Sequence, residues 1–361
     1  MLETQPATGA GSGTKQLLID CDLHNEVPNK EALFPYLPAY WVEHMQQTLF
    51  KGPSTQYYPQ GSPVAARLGS KPTDGPAGSS LKLLQEQVLD PLGVDFGILN
   101  CLYPTDDLHN PDAAIAMSRA VNDWQIEHWL EKDSRLRASI VIPSKLPAEA
   151  AKEIDRVGSH PGFVQVVMPV RTPQPLGNRN YLPMWEAIAR NNLVAGIHFG
   201  GIPGVPPTPQ GWSSYFYEEY AGMAQVFATQ VTNIVSEGVF DHFPAMRVVL
   251  LESGFTWLPA HMWRFDKEWK NLRRLIPWVR KAPSEYIREH IRISVMPVDA
   301  YPEPRQLVET VHQLGSEEML LFATDYPHRH TADAEQDLLR HLSPDLARKI
   351  RGENARALYG L

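Results

Sequence analysis

Short apolar, β-branched runs alternate eight times with longer amphipathic segments along this chain of 361 residues. The runs are at 17–20, 95–101, 137–142, 163–168, 194–198, 247–252, 290–294 and 319–324. The amphipathic segments are at 80–89, 111–132, 147–157, 184–192, 217–238, 257–276, 304–314 and 333–350. Such alternation is typical of βα units and a parallel sheet. Eight units predict a closed α/β fold, the (β/α)₈ TIM barrel.

An open doubly wound sheet is the competing fold, and it would usually carry a glycine-rich phosphate loop after its first strand. Here the first run leads instead into Asp20-Cys21-Asp22-Leu23-His24. The first βα connection is far longer than usual, and we expect an insertion at about 25–79 that covers the active face. We further expect a flexible leader at 1–14 and a single metal-dependent domain over 15–361.

The composition excludes several classes of partner. A net charge of -8 and a pI near 5.9 disfavour nucleic acid and anionic membranes, because an acidic surface repels them. Two cysteines, Cys21 and Cys101, are too few for a disulfide framework or a thiolate zinc site. No apolar stretch approaches the roughly 20 residues that span a bilayer. These observations predict a cytoplasmic protein whose partner is a small molecule.

Metal-competent side chains follow the predicted strands, at the barrel end where chemistry takes place. Asp22 and His24 are separated by one residue, so both leave the same side of an extended backbone. His198 ends the fifth run and Asp325 follows the eighth. Two carboxylates and two imidazoles suit zinc, manganese or iron, and such a cation lowers the pKa of bound water. We therefore predict a divalent metal site formed by these four residues.

Further residues are candidates for proton transfer or for a second cation. Glu252 follows the sixth strand and is predicted to be either a metal ligand or the catalytic base. His261, on the helix that follows, is predicted to reach the same pocket as a ligand or catalytic group. Asp325 is also counted as catalytic, and His328, three residues beyond it, is an optional participant.

Substrate contacts are predicted from charge and aromaticity. Arg171 and Arg264 could meet an anionic substrate group, because guanidinium forks match carboxylates. The pocket walls are expected from aromatic residues of the insertion and of the loop after His198, which suit a small organic molecule with some apolar surface: Tyr57, Tyr58, Trp212 and Tyr215.

The chain resembles the amidohydrolase superfamily, and within it the amidohydrolase-2 branch that includes aminocarboxymuconate-semialdehyde decarboxylase and the resorcylate-type decarboxylases. The resemblance runs from the first strand to the end of the sequence. The segments that carry it are Asp20-Cys21-Asp22-Leu23-His24, Ile197-His198-Phe199-Gly200-Gly201, Leu251-Glu252-Ser253-Gly254-Phe255-Thr256-Trp257-Leu258-Pro259, Ala323-Thr324-Asp325-Tyr326-Pro327-His328 and Glu353-Asn354-Ala355-Arg356-Ala357-Leu358-Tyr359-Gly360.

The resemblance implies that Asp22, His24, His198 and Asp325 are metal ligands. The sequence departs from the family at two places. Asp22-x-His24 stands where His-x-His is usual, which keeps a ligand. Glu252 stands where a catalytic or metal-binding histidine is frequent, which trades an imidazole for a carboxylate.

Three functions remain open at this stage. The first is a metal-dependent hydrolase or non-oxidative decarboxylase acting on a small organic acid or amide. If its site binds a single cation, that cation is expected to be zinc. The second is an O₂-dependent hydroxylase with two iron or manganese ions, similar to a group that includes the two-subunit 2-aminoisobutyrate hydroxylase. The third is a supporting barrel subunit whose metal is structural. A homo-oligomer, or a hetero-oligomer with a related barrel, fits all three.

Overall fold

Eight parallel strands follow one another around the sheet in chain order. The computed structural model describes residues 16–53, 66–201, 204–208 and 210–361. The predicted TIM barrel is confirmed. Its strands are β1 (Ile19–Leu23), β2 (Phe96–Leu99), β3 (Leu136–Val141), β4 (Phe163–Arg171), β5 (Val194–Gly201), β6 (Arg247–Leu251), β7 (Ile291–Ser294) and β8 (Leu320–Leu321).

Helices connect the strands on the outside of the sheet. The α-helices are α1 (Ala39–Gln47), α2 (Leu81–Leu84), α3 (Pro111–Gln125), α4 (Pro147–Val157), α5 (Leu182–Arg190), α6 (Phe216–Ser236), α7 (Val239–His242), α8 (Leu258–Leu272), α9 (Pro283–His290), α10 (Pro304–Gln313), α11 (Pro344–Arg348) and α12 (Asn354–Tyr359). Several begin with proline in the first turn, where its missing N–H has no intrahelical partner to lose. The turns after α2 and α3 widen to π-helix, at Gln85–Leu89 and Ile126–Leu130.

The barrel closes where β1 meets the segment after β8. The amide of Cys21 donates to the carbonyl of Phe322 at 2.9 Å, and the amide of His24 donates to that of Tyr326 at 2.7 Å. The amide of Asp325 donates back to the carbonyl of Asp22 at 3.0 Å. This seam therefore places the first and last candidate ligands side by side.

Two apolar cores hold the barrel. The larger lies between the sheet and the surrounding helices, with Trp185, Phe227 and Phe240 among its buried members. The smaller fills the barrel interior, where Leu358 and Tyr359 of α12 pack against strand residues such as Ile98. Burial of apolar surface stabilises the fold by about 25 cal/mol per Å². The helix α12 is thus part of the barrel's own core.

Several predicted boundaries were wrong, and three of them bear on the site or on the packing around it. β1 begins and ends later than predicted, so that Asp22 lies within the strand. β8 is shorter, because the amide of Phe322 donates to Ile350 and that of Thr324 to the Asp20 carboxylate. The segment predicted as one helix at 333–350 is broken before α11, where Ser343 caps the helix and Pro344 cannot donate to a preceding turn.

The predicted insertion after β1 is described at 25–53 and 66–79 and contains α1 and a 3₁₀ helix, Lys30–Tyr36. Its far end lies against the loop that follows β8. The amide of Arg67 donates to the carbonyl of Pro327 at 2.7 Å, and Ala66 bridges His328. Tyr57, Tyr58 and the predicted leader at 1–14 lie outside the described residues. Among the residues described, no helix is both long and apolar enough to cross a membrane.

Candidate metal centre

Asp22 and His24 bring two donor atoms from β1 to the mouth of the barrel. Both are buried. Nδ1 of His24 lies 2.9 Å from the carbonyl oxygen of Asn100, so this nitrogen carries the proton and donates. Nε2 faces the other donor atoms, and it lies 3.5 Å from Oδ1 of Asp22. Asn100 also donates from Nδ2 to that Oδ1 at 2.8 Å. Asn100, which follows β2, thus orients both Asp22 and His24.

His198, near the end of β5, is oriented in the same way. Its Nδ1 lies 2.7 Å from the carbonyl oxygen of Phe199, which turns Nε2 towards the other donor atoms. This Nε2 lies 3.6 Å from Oδ1 of Asp22 and 3.9 Å from Oε1 of Glu252. Three separate strands therefore direct donor atoms at a common point.

Glu252 and Asp325 follow β6 and β8 with left-handed backbones, at φ 58° and 57°. Residues other than glycine rarely adopt this conformation, which costs free energy and is concentrated at functional sites. The Asp325 carboxylate receives three imidazoles. Its Oδ1 lies 2.8 Å from Nε2 of His24 and 2.9 Å from Nδ1 of His328, and its Oδ2 lies 2.5 Å from Nε2 of His330. Nδ1 of His328 also lies 3.4 Å from Oε1 of Glu252.

These side chains form two overlapping groups whose donor atoms all lie within 4.8 Å of one another. The first consists of Asp22, His24, His198 and Glu252, and the second of His24, Glu252, Asp325 and His328. In the first group, Oδ2 of Asp22 and Nε2 of His198 are buried without a hydrogen-bond partner among the described residues. Buried polar atoms are rarely left unpaired. A divalent cation would satisfy both, so the donors present fit a metal ion.

The charges of the cluster point the same way. Burial would lower the pKa of His198, but Glu252 and Asp22 more than offset it and raise that pKa to about 9. Burial would raise the pKa of Asp325, but His328, His24 and His330 hold it well below its usual range. Burial and the nearby Asp325 raise the pKa of Glu252. The carboxylates thus raise the pKa of His198, His328 and His330 and favour their protonated forms, and a bound cation would displace a proton from any imidazole that it coordinates.

Four of these side chains line a cavity with a volume of about 350 Å³. Its lining includes Glu252, Asp325, His328 and His330, together with Arg329 and residues from the start of α6. The residues from α6 are Phe216, Tyr217, Tyr220 and Met223. A smaller cavity of about 80 Å³ is lined by His198, with residues that follow β2 and residues of β4. The metal centre therefore opens onto a space large enough for a small organic molecule.

Several predicted residues lie elsewhere. Nε2 of His261 lies 3.1 Å from the hydroxyl of Thr232 on α6, and His261 belongs to neither donor group among the described residues. Arg264 is 77% exposed on α8 and faces Glu268. Arg171 forms a buried ion pair with Glu219 at 2.8 Å, and Trp212 is half exposed. Their predicted roles in catalysis or substrate binding gain no support from this geometry and stay predictions.

Two residues of the site were missed by the sequence analysis. His330 escaped notice although His328-Arg329-His330 repeats the one-residue spacing of Asp22 and His24, a signal that was available. Asn100 gave no comparable signal, because a lone asparagine after a strand is far more often a cap or a turn residue.

The sequence pattern of the amidohydrolase family (Amidohydro_2) matches residues 19–361. The chain belongs to this family. The amidohydrolase is also 24% identical over 295 residues to the gamma-resorcylate decarboxylase of Polaromonas sp., a match that covers 76% of this chain and 86% of the relative.

Solved structures share the fold of this amidohydrolase. The 5-carboxyvanillate decarboxylase of Sphingomonas paucimobilis aligns with a TM-score of 0.68 at 20% identity, over 96% of this chain and 100% of that one. A dihydroxybenzoic acid decarboxylase of Polaromonas sp., solved with manganese and 2-nitroresorcinol, aligns with a TM-score of 0.66 at 19% identity, over 96% and 98% of the two chains.

The predicted membership and the predicted class of metal-dependent hydrolase or lyase are confirmed at the level of the family. The relatives named above are decarboxylases, which agrees with the main prediction and not with the monooxygenase alternative. For the cofactor, the buried donor groups of this amidohydrolase support the predicted divalent metal ion.

Proposed function

We propose that this amidohydrolase removes CO₂ from a small aromatic acid with the help of one divalent cation, held by Asp22, His24 and His198 of the first donor group and by Asp325, which contacts Nε2 of His24. The observation that carries the proposal is the pair of buried, unpartnered donors, Oδ2 of Asp22 and Nε2 of His198, in the donor group that also contains the cavity residue Glu252. Its decarboxylase relatives, which act on aromatic acids by their names, support the substrate class. Manganese is the first cation to test, since one neighbour contains it.

When bound, the cation would supply Lewis-acid polarisation of the substrate's oxygen atoms. The protein must then deliver a proton to the ring carbon that loses CO₂. Glu252 is placed for this role, because its side chain lines the cavity. Its Oε1 lies 3.9 Å from Nε2 of His24 and 3.9 Å from Nε2 of His198. Burial raises its pKa, so it can hold the proton that replaces the departing carboxyl group.

The cavity supplies contacts for an aromatic anion. Phe216 and Tyr220 of α6 are in ring contact with centroids 5.0 Å apart, and together with Tyr217 they form the wall that we call the aromatic wall. An aromatic ring packs well against such faces. Arg329 lies beside it and offers a guanidinium for a carboxylate or phenolate of the substrate.

The test is decarboxylation of gamma-resorcylate and 5-carboxyvanillate by protein loaded with Mn²⁺, with CO₂ release measured in air and under argon. We expect equal rates in both, and in D₂O one deuterium in the product at the former carboxyl position. His198→Asn should lose bound metal and activity, whereas the control His261→Asn should keep both. Retention of metal and activity by His198→Asn, or activity only in air, would contradict the proposal.

A second candidate is favoured by one observation, the second donor group of His24, Glu252, Asp325 and His328, which His330 extends. Together the two groups offer more donors than one cation needs, and two iron or manganese ions would fit the O₂-dependent hydroxylase considered from the sequence. Elemental analysis decides between the candidates. One ion per chain supports the decarboxylase, and two ions with oxygen-dependent turnover support the hydroxylase.

Two further predictions concern the cellular compartment and the oligomeric state of the protein. We propose that the protein acts in the reducing cytoplasm, as its two free, buried cysteines allow. We also propose that it forms an oligomer, with itself or with a related barrel.

A further inference from the structure

Polar side chains cross the barrel interior at one level, where most barrels place branched apolar residues. Asn100 follows β2, Ser139 lies on β3, and Gln165 lies on β4, and the strand register puts Ser139 directly opposite Gln165. All three are fully buried. Gly196 on β5 makes the space, since a Cβ there would lie 2.6 Å from Nε2 of Gln165. The barrel interior therefore accommodates this row of polar side chains specifically, through the missing side chain at Gly196.

The hydrogen bonds of this row run in one direction, from α12 to the metal centre. The hydroxyl of Tyr359 donates to Oε1 of Gln165 at 2.9 Å. Nε2 of Gln165 donates to Oδ1 of Asn100 at 2.8 Å, and Nδ2 of Asn100 donates to Oδ1 of Asp22 at 2.8 Å. Each amide accepts on its oxygen and donates from its nitrogen, so the bonds polarise one another.

The direction follows from the chemistry of the last acceptor. An ionised carboxylate only accepts, so Asn100 must present its NH₂ group to Asp22. Its oxygen then needs a donor, which is the NH₂ group of Gln165 together with the hydroxyl of Ser139, at 2.6 Å. The oxygen of Gln165 in turn needs a donor, and Tyr359 supplies it. Loss of this hydroxyl would leave a buried acceptor unpaired and weaken the preference for this orientation of both amides.

We infer that Asn100, Gln165 and Tyr359 are positioning residues that hold Asp22, and through the Asn100 carbonyl also His24, in the arrangement that binds the cation. The inference rests on the proposed ligand set and adds a long-range requirement to it. A hydroxyl on α12 tunes the affinity of a metal site at the opposite end of the barrel interior. Outer groups that orient metal ligands change metal affinity by roughly 10- to 100-fold when removed.

The experiment measures the affinity of the apo protein for Mn²⁺ alone, from the free-ion signal in electron paramagnetic resonance. We expect Asn100→Ala to weaken binding by roughly 10- to 100-fold. Tyr359→Phe, which removes one oxygen atom, should weaken it by roughly 3- to 10-fold, because it acts through two intervening amides. In the Asn100→Ala background, Tyr359→Phe should have no further effect on the affinity, since the relay is already broken.

The matched control is Leu358→Ala, the neighbouring buried residue of α12 whose side chain takes no part in the row. It should lower the unfolding temperature at least as much as Tyr359→Phe while leaving the Mn²⁺ affinity unchanged. An unchanged affinity in Tyr359→Phe, or independent effects that multiply in the double variant, would overturn the relay. If Asp22→Asn binds Mn²⁺ as tightly as the unmodified protein, the ligand assignment itself has failed, and the inference fails with it.

Discussion

Nε2 of His24 lies 2.8 Å from Oδ1 of Asp325, although 301 positions of the sequence separate the two residues. One belongs to the loop end of β1 and the other to the turn after β8, so the contact crosses the seam at which the barrel closes. A cation bound here would link the two sides of the seam. Because closing a long loop costs conformational entropy, such a link stabilises the folded state.

Metal removal is expected to destabilise the protein. A ligand present at 100 times its dissociation constant stabilises the folded state by about 2.7 kcal/mol. Dialysis against a chelator should therefore lower the unfolding temperature in calorimetry, and Mn²⁺ should restore it. His198→Asn serves as the control, because it should unfold at the same temperature with and without Mn²⁺. A metal-dependent shift of normal size in that variant would contradict the assignment of His198.

The left-handed backbone of Glu252 predicts an unusual order of stability. Glycine in an ordinary strand or helix costs about 0.5–1 kcal/mol relative to alanine. At φ 58° the steric cost of Cβ reverses this preference. Glu252→Gly should therefore be at least as stable as Glu252→Ala in urea unfolding of the metal-free protein. The same pair of substitutions at Glu186 on α5, an ordinary helical site, should show the usual order with alanine more stable.

Arg329 is predicted to bind the anionic group of the substrate. Arg329→Gln should raise KM by roughly 10-fold with a smaller change in kcat, because a charge-assisted hydrogen bond contributes about 1.5–3 kcal/mol and a position near solvent reduces that figure. Arg264→Gln, at an exposed position on α8, should leave KM unchanged. Steady-state kinetics with gamma-resorcylate provide the test, and an unaltered KM in Arg329→Gln would remove this residue from the site.

Acid stability should depend on the pair of Asp133 and Arg135, whose side chains are 2.6 Å apart. The Arg135 guanidinium lowers the pKa of Asp133 from 3.8 to about 2. A lowered folded-state pKa stabilises the protein above the unfolded value, and this contribution is lost as the pH falls from about 4 towards 2. Asp133→Asn should flatten the pH dependence of unfolding in that window. Asp345→Asn, at an 87% exposed carboxylate, should leave the slope as it is.

The barrel and most of the donors could be predicted because both depend on local patterns. Apolar runs mark the strands, and a polar residue at the end of a buried strand has few positions to occupy. The structure accordingly brings Asp22, His24, His198 and Glu252 into one group. Asp325 meets His24 and Glu252 in the second group, although β8 itself is only two residues long.

What could not be predicted depends on side-chain direction and on contacts between distant strands. His261 is on the predicted helix, but the packing of α8 against α6 turns its imidazole to Thr232. The hydrogen bonds of Asn100 and Gln165 form only when the folded barrel places the two residues side by side. The sequence shows such amides as isolated polar residues, with nothing to distinguish them from turn or surface positions.

The hydrogen bond from Arg67 to the carbonyl of Pro327 joins the insertion to the loop that holds His328 and His330. This hydrogen bond and the bridge between Ala66 and His328 couple the position of the insertion to the loop that carries two of the imidazoles. Replacement of the insertion is therefore expected to shift those imidazoles. A design that grafts a different insertion onto this barrel should therefore transfer the loop after β8 together with it.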